Sequence, residues 1–380
     1  EYRTLLLGMK PSTQYYARIT AKNGASTYTS EVLPLMTGFL PNGLPTLEVN
    51  DSNAAGLWEG GGFTVQCTGL ATGGFPGGGG GPDDSYAFVF DKDGDQVWAY
   101  ELTDTSVAGC SRARMSVDGK SMWAGNFNNA DSNGYVMRIS MDGLETEDIM
   151  IQARNHDFAF LPNGDLLYWE QQNGGGYTDG KEGPDIIRSM NPATRVVTDI
   201  YDQLEDFSEQ IEDSQGSHTN QINYVPELDA ISFSMRHTST VGLISYPAGE
   251  LMTVFGGPIT SYSNMDWDFQ HGHHVLADRV FIFNNNGSNG GSSILGFQFD
   301  MAASTATPTL DYSSGKSSGA FGDVKELANG NLYVTYSTSG VIHEVSASGT
   351  LLREITTSAS LGYSEHRKTL YGPPPPFDAE

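Results

Sequence analysis

Short polar turns recur along this chain at a spacing that fits a four-stranded repeat. Turns near residues 118, 163, 227, 278 and 329 lie 45 to 64 residues apart, and an earlier hairpin turn spans Asp91–Gly94. Strand-like runs follow most of them, with aromatic and β-branched residues alternating with others, as in Leu166–Trp169. Such periods are typical of propellers and solenoids. Five repeats and the early hairpin predict an all-β, six-bladed β-propeller over residues 39–372.

Closure of such a ring requires the two ends of the chain to meet. We expect an early strand to complete the last blade, because this leaves no sheet edge exposed. A weak helical pattern at Tyr201–Glu212 is the only helix candidate. The alternative folds are a β-sandwich array and a β-helix.

The first 38 residues have a different texture. Leu5–Ile19 is similar to the fibronectin type III pattern of a short strand, a turn and a strand with a corner tyrosine. Too few strands fit before Gly38 for a whole module, so we predict a partial β-sandwich at 1–38 and a Pro-rich tail at 373–380. The chain begins at Glu1 without Met or a signal peptide, and we expect a segment upstream of it.

The net charge of −26, from 46 acidic and 20 basic residues, limits the partners of this protein. A negative field of this size repels phosphate backbones and anionic lipids, so nucleic acid and membrane surfaces are poor partners. No stretch approaches the ~20 apolar residues of a membrane span. An anionic substrate would need a local basic pocket. The sequence carries no signal that decides self-association.

The two cysteines are Cys67 and Cys110. They form either one disulfide or two buried thiols, and we favour the disulfide because no CxxC spacing or neighbouring histidine indicates a metal site. A disulfide predicts a location outside the cytoplasm, in the periplasm or the extracellular space.

Four short motifs carry residues suited to acid–base or nucleophilic chemistry. His156 and Asp157 precede a Leu-Pro-Asn-Gly turn. His218 and Asn220 form a His-x-Asn motif, and Arg236 ends a Ser-x-Arg motif 18 residues after His218. The fourth motif is the pair Gln270–His271, which is followed by a strand that ends in Phe283–Gly287.

These four elements, in this order, resemble the family of periplasmic arylsulfotransferases. The resemblance covers roughly residues 85–372, and Tyr363–Gly372 is similar to the closing strand of that family. It implies transfer of a sulfuryl group from a phenolic sulfate ester to a phenol without a nucleotide cofactor. The implied partners are therefore a small-molecule aryl sulfate and a phenol, and no cofactor is expected.

The resemblance also implies a role for each motif residue. His271 would be the nucleophile and would form a transient sulfohistidine. His218, Asn220 and Arg236 would bind the sulfuryl oxygens, and His156 would assist sulfate binding or proton transfer at the phenolic oxygen. The chemistry is consistent with these roles, because cationic groups stabilise the charge on the three outer oxygens and a neutral imidazole is a good nucleophile. Loops from four blades would have to meet at this pocket.

Other interpretations remain open at this point. His237, His343 and His366 are read as turn or surface residues. Because His271 is close in sequence to His273 and His274, a metal site is an alternative, but no carboxylate or cysteine completes the ligand set and we predict no metal. The alternative functions are a non-catalytic extracellular propeller for adhesion or assembly, and a metal-dependent lyase or lactonase on the same fold.

Overall fold

The computed structural model shows a chain built almost entirely of short antiparallel strands. It describes residues 5–60, 62–68, 85–126, 133–152, 154–171, 177–178, 181–182, 185–213, 216–286 and 290–372. The Pro-rich tail predicted at 373–380 lies outside this part of the chain.

The N-terminal segment contains two small antiparallel sheets. Its strands are β1 (Gln14–Ala17), β2 (Thr20–Asn23), β3 (Ser26–Thr29) and β4 (Leu33–Met36). β1 pairs with β4, and β2 pairs with β3. The hydroxyl of Tyr15 accepts a hydrogen bond from the backbone N–H of Lys10 at 2.8 Å. The division of the chain into a separate module at residues 1–38 stays a prediction.

The remaining strands follow one another along the chain. Up to residue 202 they are β5 (Leu47–Asp51), β6 (Phe63–Cys67), β7 (Tyr86–Asp91), β8 (Gln96–Glu101), β9 (Cys110–Met115), β10 (Ser121–Asn126), β11 (Asn133–Ser140), β12 (Thr146–Gln152), β13 (Arg154–Phe160), β14 (Leu166–Gln171), β15 (Tyr177–Thr178), β16 (Lys181–Glu182), β17 (Asp185–Met190) and β18 (Val197–Asp202). Helix α1 (Leu204–Asp213) comes next and overlaps the predicted helical region at Tyr201–Glu212. After it come β19 (Thr219–Val225), β20 (Ala230–Met235), β21 (Thr240–Ser245), β22 (Leu251–Phe255), β23 (His273–Val275), β24 (Arg279–Asn284), β25 (Ser293–Asp300), β26 (Thr305–Ser313), β27 (Asp323–Glu326), β28 (Leu332–Tyr336), β29 (Val341–Val345), β30 (Leu351–Thr357) and β31 (Glu365–Arg367).

These strands form six blades, which confirms the predicted propeller. From the inside outwards, blade 1 is β31-β6-β7-β8, blade 2 is β9 to β12, and blade 3 is β13-β14-β17-β18. Blades 4, 5 and 6 are β19 to β22, β23 to β26, and β27 to β30. β5 adds a fifth, outermost strand to blade 6.

The ring is closed twice, which differs from the expected closure. The early strand β5 does join the last blade, but blade 6 already has four strands of its own. The C-terminal strand β31 completes blade 1 by pairing with β6. Both chain ends of the ring are therefore held by backbone hydrogen bonds, and each protects a strand edge.

The predicted repeat turns are equivalent in the structure. Those near 118, 163, 227, 278 and 329 each join the first and second strands of blades 2 to 6. Gly119 and Gly164 have φ values of 69° and 85°, which glycine adopts without steric cost. The early turn at Asp91–Gly94 is different, because it joins the third and fourth strands of blade 1. The difference arises because the innermost strand of blade 1 is β31, from the C-terminal end of the chain.

Apolar side chains fill the six junctions between blades. Alternate residues of one strand face opposite neighbours: Tyr86, Phe88 and Phe90 pack toward blade 6, whereas Ala87 and Val89 pack toward blade 2. The period-two side-chain pattern of a β-strand thus supplies both faces of every blade. The same holds at the other junctions.

Polar side chains meet at the axis. Arg112 donates two hydrogen bonds to the carboxylate of Asp157, at 2.7 and 3.0 Å, and further ones to Asp323 and to the carbonyl oxygen of Ser364. Gln221 donates to Asp323 at 2.8 Å and accepts from the backbone of His273 at 2.5 Å. We call these six residues, one from each blade, the axial ring. All are buried.

A disulfide joins Cys67 of blade 1 to Cys110 of blade 2, as predicted. Both residues are fully buried in the apolar junction between these blades. Among the described residues, no helix is long and apolar enough to span a bilayer.

Replacing both Cys67 and Cys110 with alanine is expected to lower the free energy of unfolding by about 2–4 kcal/mol, because the bond closes a loop with a sequence separation of 43. Guanidinium denaturation of the variant and the oxidised wild type measures the difference. The variant should show no further loss on addition of reductant, whereas the wild type should. Equal midpoints for both proteins would contradict a stabilising bond.

Folding stability is expected to fall as the pH drops below about 6.5. Burial and the nearby Lys325 lower the pKa of His273 to about 3, and burial lowers the pKa of His366 to about 4. The unfolded chain takes up these protons near pH 6.5 and the folded chain does not, so each histidine costs about 1 kcal/mol of stability between pH 7.5 and 5.5. Denaturation at both pH values tests this, with His366→Gln expected to reduce the loss. Unchanged stability at pH 5.5 would contradict it.

Candidate active site

The innermost strands place three histidines around the axis at one face. His156 lies near the start of β13, His218 directly precedes β19, and His271 precedes β23. Because all innermost strands run in the same direction, their first residues meet at this face, which we call the histidine face. The ring centroids of His156 lie 4.9 Å from His218 and 6.1 Å from His271. The predicted site residues thus come together from three blades, not four.

The hydrogen bonds of Asn285 fix the tautomer of His271. The side-chain amide of Asn285 donates to the carbonyl oxygens of Ser318 and Phe321, both at 2.8 Å, so its Oδ1 must face the opposite way. That oxygen lies 2.8 Å from Nδ1 of His271. Nδ1 therefore carries the proton, and Nε2 keeps a lone pair.

His271 is also held in its neutral form. It is 2% exposed, and burial together with the charge of Arg236 and the nearby His218 lowers its pKa to about 3. At neutral pH this imidazole is consequently uncharged. A buried, uncharged ring with an available Nε2 lone pair is suited to act as a nucleophile.

Arg236 supplies the positive charge of the site. It follows β20, and its guanidinium carbon lies 4.5 Å from the ring centre of Phe269, a cation–π contact. Its backbone N–H donates to the carbonyl oxygen of His218 at 3.0 Å. Arg236 and His218 are therefore held together in one blade, next to His271.

Three residues of the site have a backbone conformation that is uncommon for their type. His218, Phe269 and Phe321 have φ values of 47°, 54° and 56°. Non-glycine residues rarely occupy this left-handed region, and such strain is concentrated at functional sites. The ring of Phe321 lies 5.6 Å from His156 and 5.9 Å from His271, forming an apolar wall of the site.

Asn220 lies beneath the histidines and is fully buried. One of its amide N–H groups donates to the carbonyl oxygen of Gln270 at 2.7 Å, which fixes the residue before His271. The hydroxyl of Tyr363 donates to the carbonyl oxygen of Asn220 at 3.2 Å. The side-chain Oδ1 of Asn220 has no hydrogen-bond partner among the described residues.

The other histidines are distributed differently from the sequence-based interpretation. His237 lies in a turn, but its ring is 4.7 Å from that of His218, at the edge of the site. His343, expected in a turn or on the surface, is fully buried in β29 between Tyr312 and Glu354. Its expected exposure was wrong because both ring nitrogens find partners in the interior, Tyr312 of blade 5 and Glu354 of blade 6.

The alternative metal site using His271 with His273 or His274 does not form. His273 contacts Ser232 at 2.9 Å in the axial ring, and His274 accepts a hydrogen bond from the backbone of Glu326. His271 is grouped instead with His156 and His218, with the candidate ligand nitrogens within 4.8 Å of one another. Three imidazoles could hold a transition metal. The cation of Arg236 beside them favours an anion instead.

Sequence reasoning missed two residues of this site. Asn285 lies within the motif Phe283–Gly287, so a signal existed, but the motif gave no reason to assign it the orientation of His271. Phe321 carries no motif at all. Only the fold brings the loop before β27 against the histidines.

Similar folds occur in solved structures. A chain of a nidogen/laminin complex aligns with a TM-score of 0.50 at 9% identity, covering 80% of this chain and 98% of that one. A streptogramin B lyase aligns at 0.49 with 12% identity, covering 84% and 97%. The periplasmic gluconolactonase of Pseudomonas aeruginosa aligns at 0.47 with 12% identity, covering 80% and 99%. At 9% identity the likeness to the nidogen/laminin chain concerns the fold alone.

No curated protein matches the chain in a sequence comparison. A family model does match: that of arylsulfotransferase (ASST), over residues 80–364. The match spans most of the propeller and includes the three converging histidines, Arg236 and Asn285. This family supports arylsulfotransferase activity in general, with small aryl molecules as substrates. The chain therefore belongs to the arylsulfotransferase family.

Proposed function

We propose that this protein transfers a sulfuryl group from a phenolic sulfate ester to a phenol through a sulfohistidine on Nε2 of His271. The observation that carries the proposal is the contact between Nδ1 of His271 and Asn285, which leaves Nε2 as the reactive nitrogen. The neighbouring positive charge of Arg236 supports an anionic substrate. No nucleotide cofactor takes part.

The reaction has two half-reactions. In the first, the Nε2 lone pair forms a bond to sulfur while the bond from sulfur to the aryl oxygen breaks, and the departing oxygen takes a proton from His156. In the second, the acceptor phenol returns a proton to that imidazole, its oxygen attacks sulfur, and the sulfur–nitrogen bond breaks. The sulfated ring is cationic, and its Nδ1–H continues to donate to Asn285. Covalent catalysis of this kind gives ping-pong kinetics.

The remaining residues have complementary proposed roles. Arg236 and His218 bind the sulfuryl oxygens, where the transition state carries its charge. Asn220 contributes its second amide N–H to the same oxygens. His156, 4.9 Å from His218 between ring centres, exchanges the proton with the phenolic oxygen. The aryl ring packs against Phe321.

We also propose a periplasmic or extracellular location, which the Cys67–Cys110 disulfide supports because such bonds persist in oxidising compartments. The segment 1–38 would then be a partial fibronectin type III-like spacer before the propeller at 39–372.

His271→Gln is expected to lower turnover of a chromogenic aryl sulfate in the presence of phenol by at least about 10³-fold, because the nucleophile is lost. Mass spectrometry of wild type quenched with donor alone should find a sulfuryl adduct on the peptide containing His271. His343→Gln, the same change at a buried histidine of blade 6, serves as the control and should retain activity.

Chelator should leave the wild-type rate unchanged. Turnover abolished by chelator would favour a metal enzyme on the three histidines. Absence of turnover and of adduct across several donors and acceptors would favour the non-catalytic adhesion or assembly module.

Asn285→Ala is expected to lower kcat by about 10–100-fold, because the tautomer and orientation of His271 are no longer fixed. Nitrogen NMR of histidine-labelled protein should show a single tautomer with an unprotonated Nε2 in wild type and a mixture in the variant. Asn284→Ala is the matched control, since that side chain contacts Ser293 and the backbone of Asp268 instead. A protonated Nε2 in the wild-type resting enzyme would contradict the proposed role.

A further inference from the structure

A cavity lies at the other end of the axis from the histidines. It has a volume of about 270 Å³ and is lined by Arg114, His274, Lys325 and the aromatic rings of Trp58 and His366, among others. Arg114 and Lys325 each lie two residues beyond an axial-ring residue, Arg112 and Asp323 respectively, on the same side of their strands. The axial ring thus separates this cavity from the histidine face.

The buried charges at this end do not balance. Three cations, Arg112, Arg114 and Lys325, share two carboxylates, those of Asp157 and Asp323. Arg112 has the shortest contacts with these carboxylates, 2.7 Å to Asp157 and 3.2 Å to Asp323. The contacts of the other two cations are longer, 3.4 Å from Arg114 to Asp157 and 3.8 Å from Lys325 to Asp323. Three positive against two negative charges leave an excess of one positive charge. This is unusual for a protein of net charge −26.

The acidic residues that line the cavity are already engaged by other arginines. Glu326 accepts two hydrogen bonds from Arg279, at 2.7 and 2.8 Å. Glu365 accepts from Arg367 at 3.1 Å and from the backbone of Met115 at 2.9 Å, and its charge also acts on Arg114. Arg114 and Lys325 both line the cavity.

Hydrogen-bond donors also remain available there. The buried Nε of Arg114 has no hydrogen-bond partner among the described residues. The Nδ1 of His274 accepts from the backbone N–H of Glu326 at 2.9 Å, so its proton is on Nε2, which can donate. Lys325 has three N–H groups, one of which donates to the carbonyl oxygen of His273 at 3.3 Å. A guanidinium, an ammonium and an imidazole N–H line one small cavity.

We propose that this cavity is a binding site for a small oxyanion, such as sulfate, phosphate or a short carboxylate, held between Arg114 and Lys325. The anion would balance the excess positive charge and accept from the available donors, which are the requirements for a buried charge cluster. Burial and repulsion by Arg112 and Arg114 lower the pKa of Lys325 to about 8, and a bound anion would relieve this repulsion. The site does not depend on sulfuryl transfer at the histidine face.

The test uses sulfate in a protein whose histidine face is disabled. In the His271→Gln/Arg236→Met double variant, sulfate should raise the melting temperature by at least about 2 °C over chloride at equal ionic strength. Adding Lys325→Met should abolish this difference. Adding Lys316→Met instead, which removes a lysine paired with Glu354 at the surface, should preserve it. An equal sulfate effect with and without Lys325, or no effect at all, would overturn the proposal.

A crystallographic measurement covers the case in which Lys325→Met does not fold. Crystals of the wild-type protein soaked in selenate should show anomalous signal between Arg114 and Lys325. Signal at the histidine face alone would overturn the proposal. Signal in the cavity of a protein that turns over no aryl sulfate would support this site while the proposed catalytic function failed.

Discussion

The buried guanidinium of Arg112 is the interaction on which the rest of the structure depends. It joins Asp157 of blade 3, Asp323 of blade 6 and the carbonyl oxygen of Ser364, which directly precedes the innermost strand of blade 1. Burial disfavours its charge, but Asp157 and Asp323 outweigh this effect and raise the pKa of Arg112. A fully paired charge at the axis has only one favourable arrangement, so it fixes the rotation of the blades relative to one another.

Because the innermost strands run in the same direction, this constraint also positions the residues of the candidate site. Along each innermost strand, the residues that precede the axial-ring residue lie at the histidine face. The residues that follow it lie at the opposite end of the axis. Asp157 is adjacent to His156, Gln221 follows Asn220, and His273 lies two residues after His271, so the axial ring and the site residues share the same short segments. A displaced ring residue would therefore move a histidine directly, which explains why a site assembled from three blades can be well ordered.

The sequence predicted the repeat well, because each blade needs the same turn between its first two strands, and turn residues are local signals. It predicted the converging histidines through their ordered motifs. It did not predict the axial ring, since Arg112 and Asp323 have the residue types of ordinary surface charges and pair across 211 positions of sequence. The double closure was missed in part: the resemblance implied a closing strand within Tyr363–Gly372, but the sequence did not show that β31 is the inner strand of blade 1.

The strained residues indicate how the geometry of the candidate site is maintained. His218, Phe269 and Phe321 keep left-handed backbones only because the packed blades around them leave no better alternative. Asn285 reaches two carbonyl oxygens, one of them that of Phe321, and His271 with the same side chain. The strained loop before blade 6 is thereby coupled to the tautomer of a histidine in blade 5. The rigid packing of the blades can keep both the strained backbone of Phe321 and the single tautomer of His271. In a flexible loop the backbone would relax, and the tautomer of His271 would no longer be fixed.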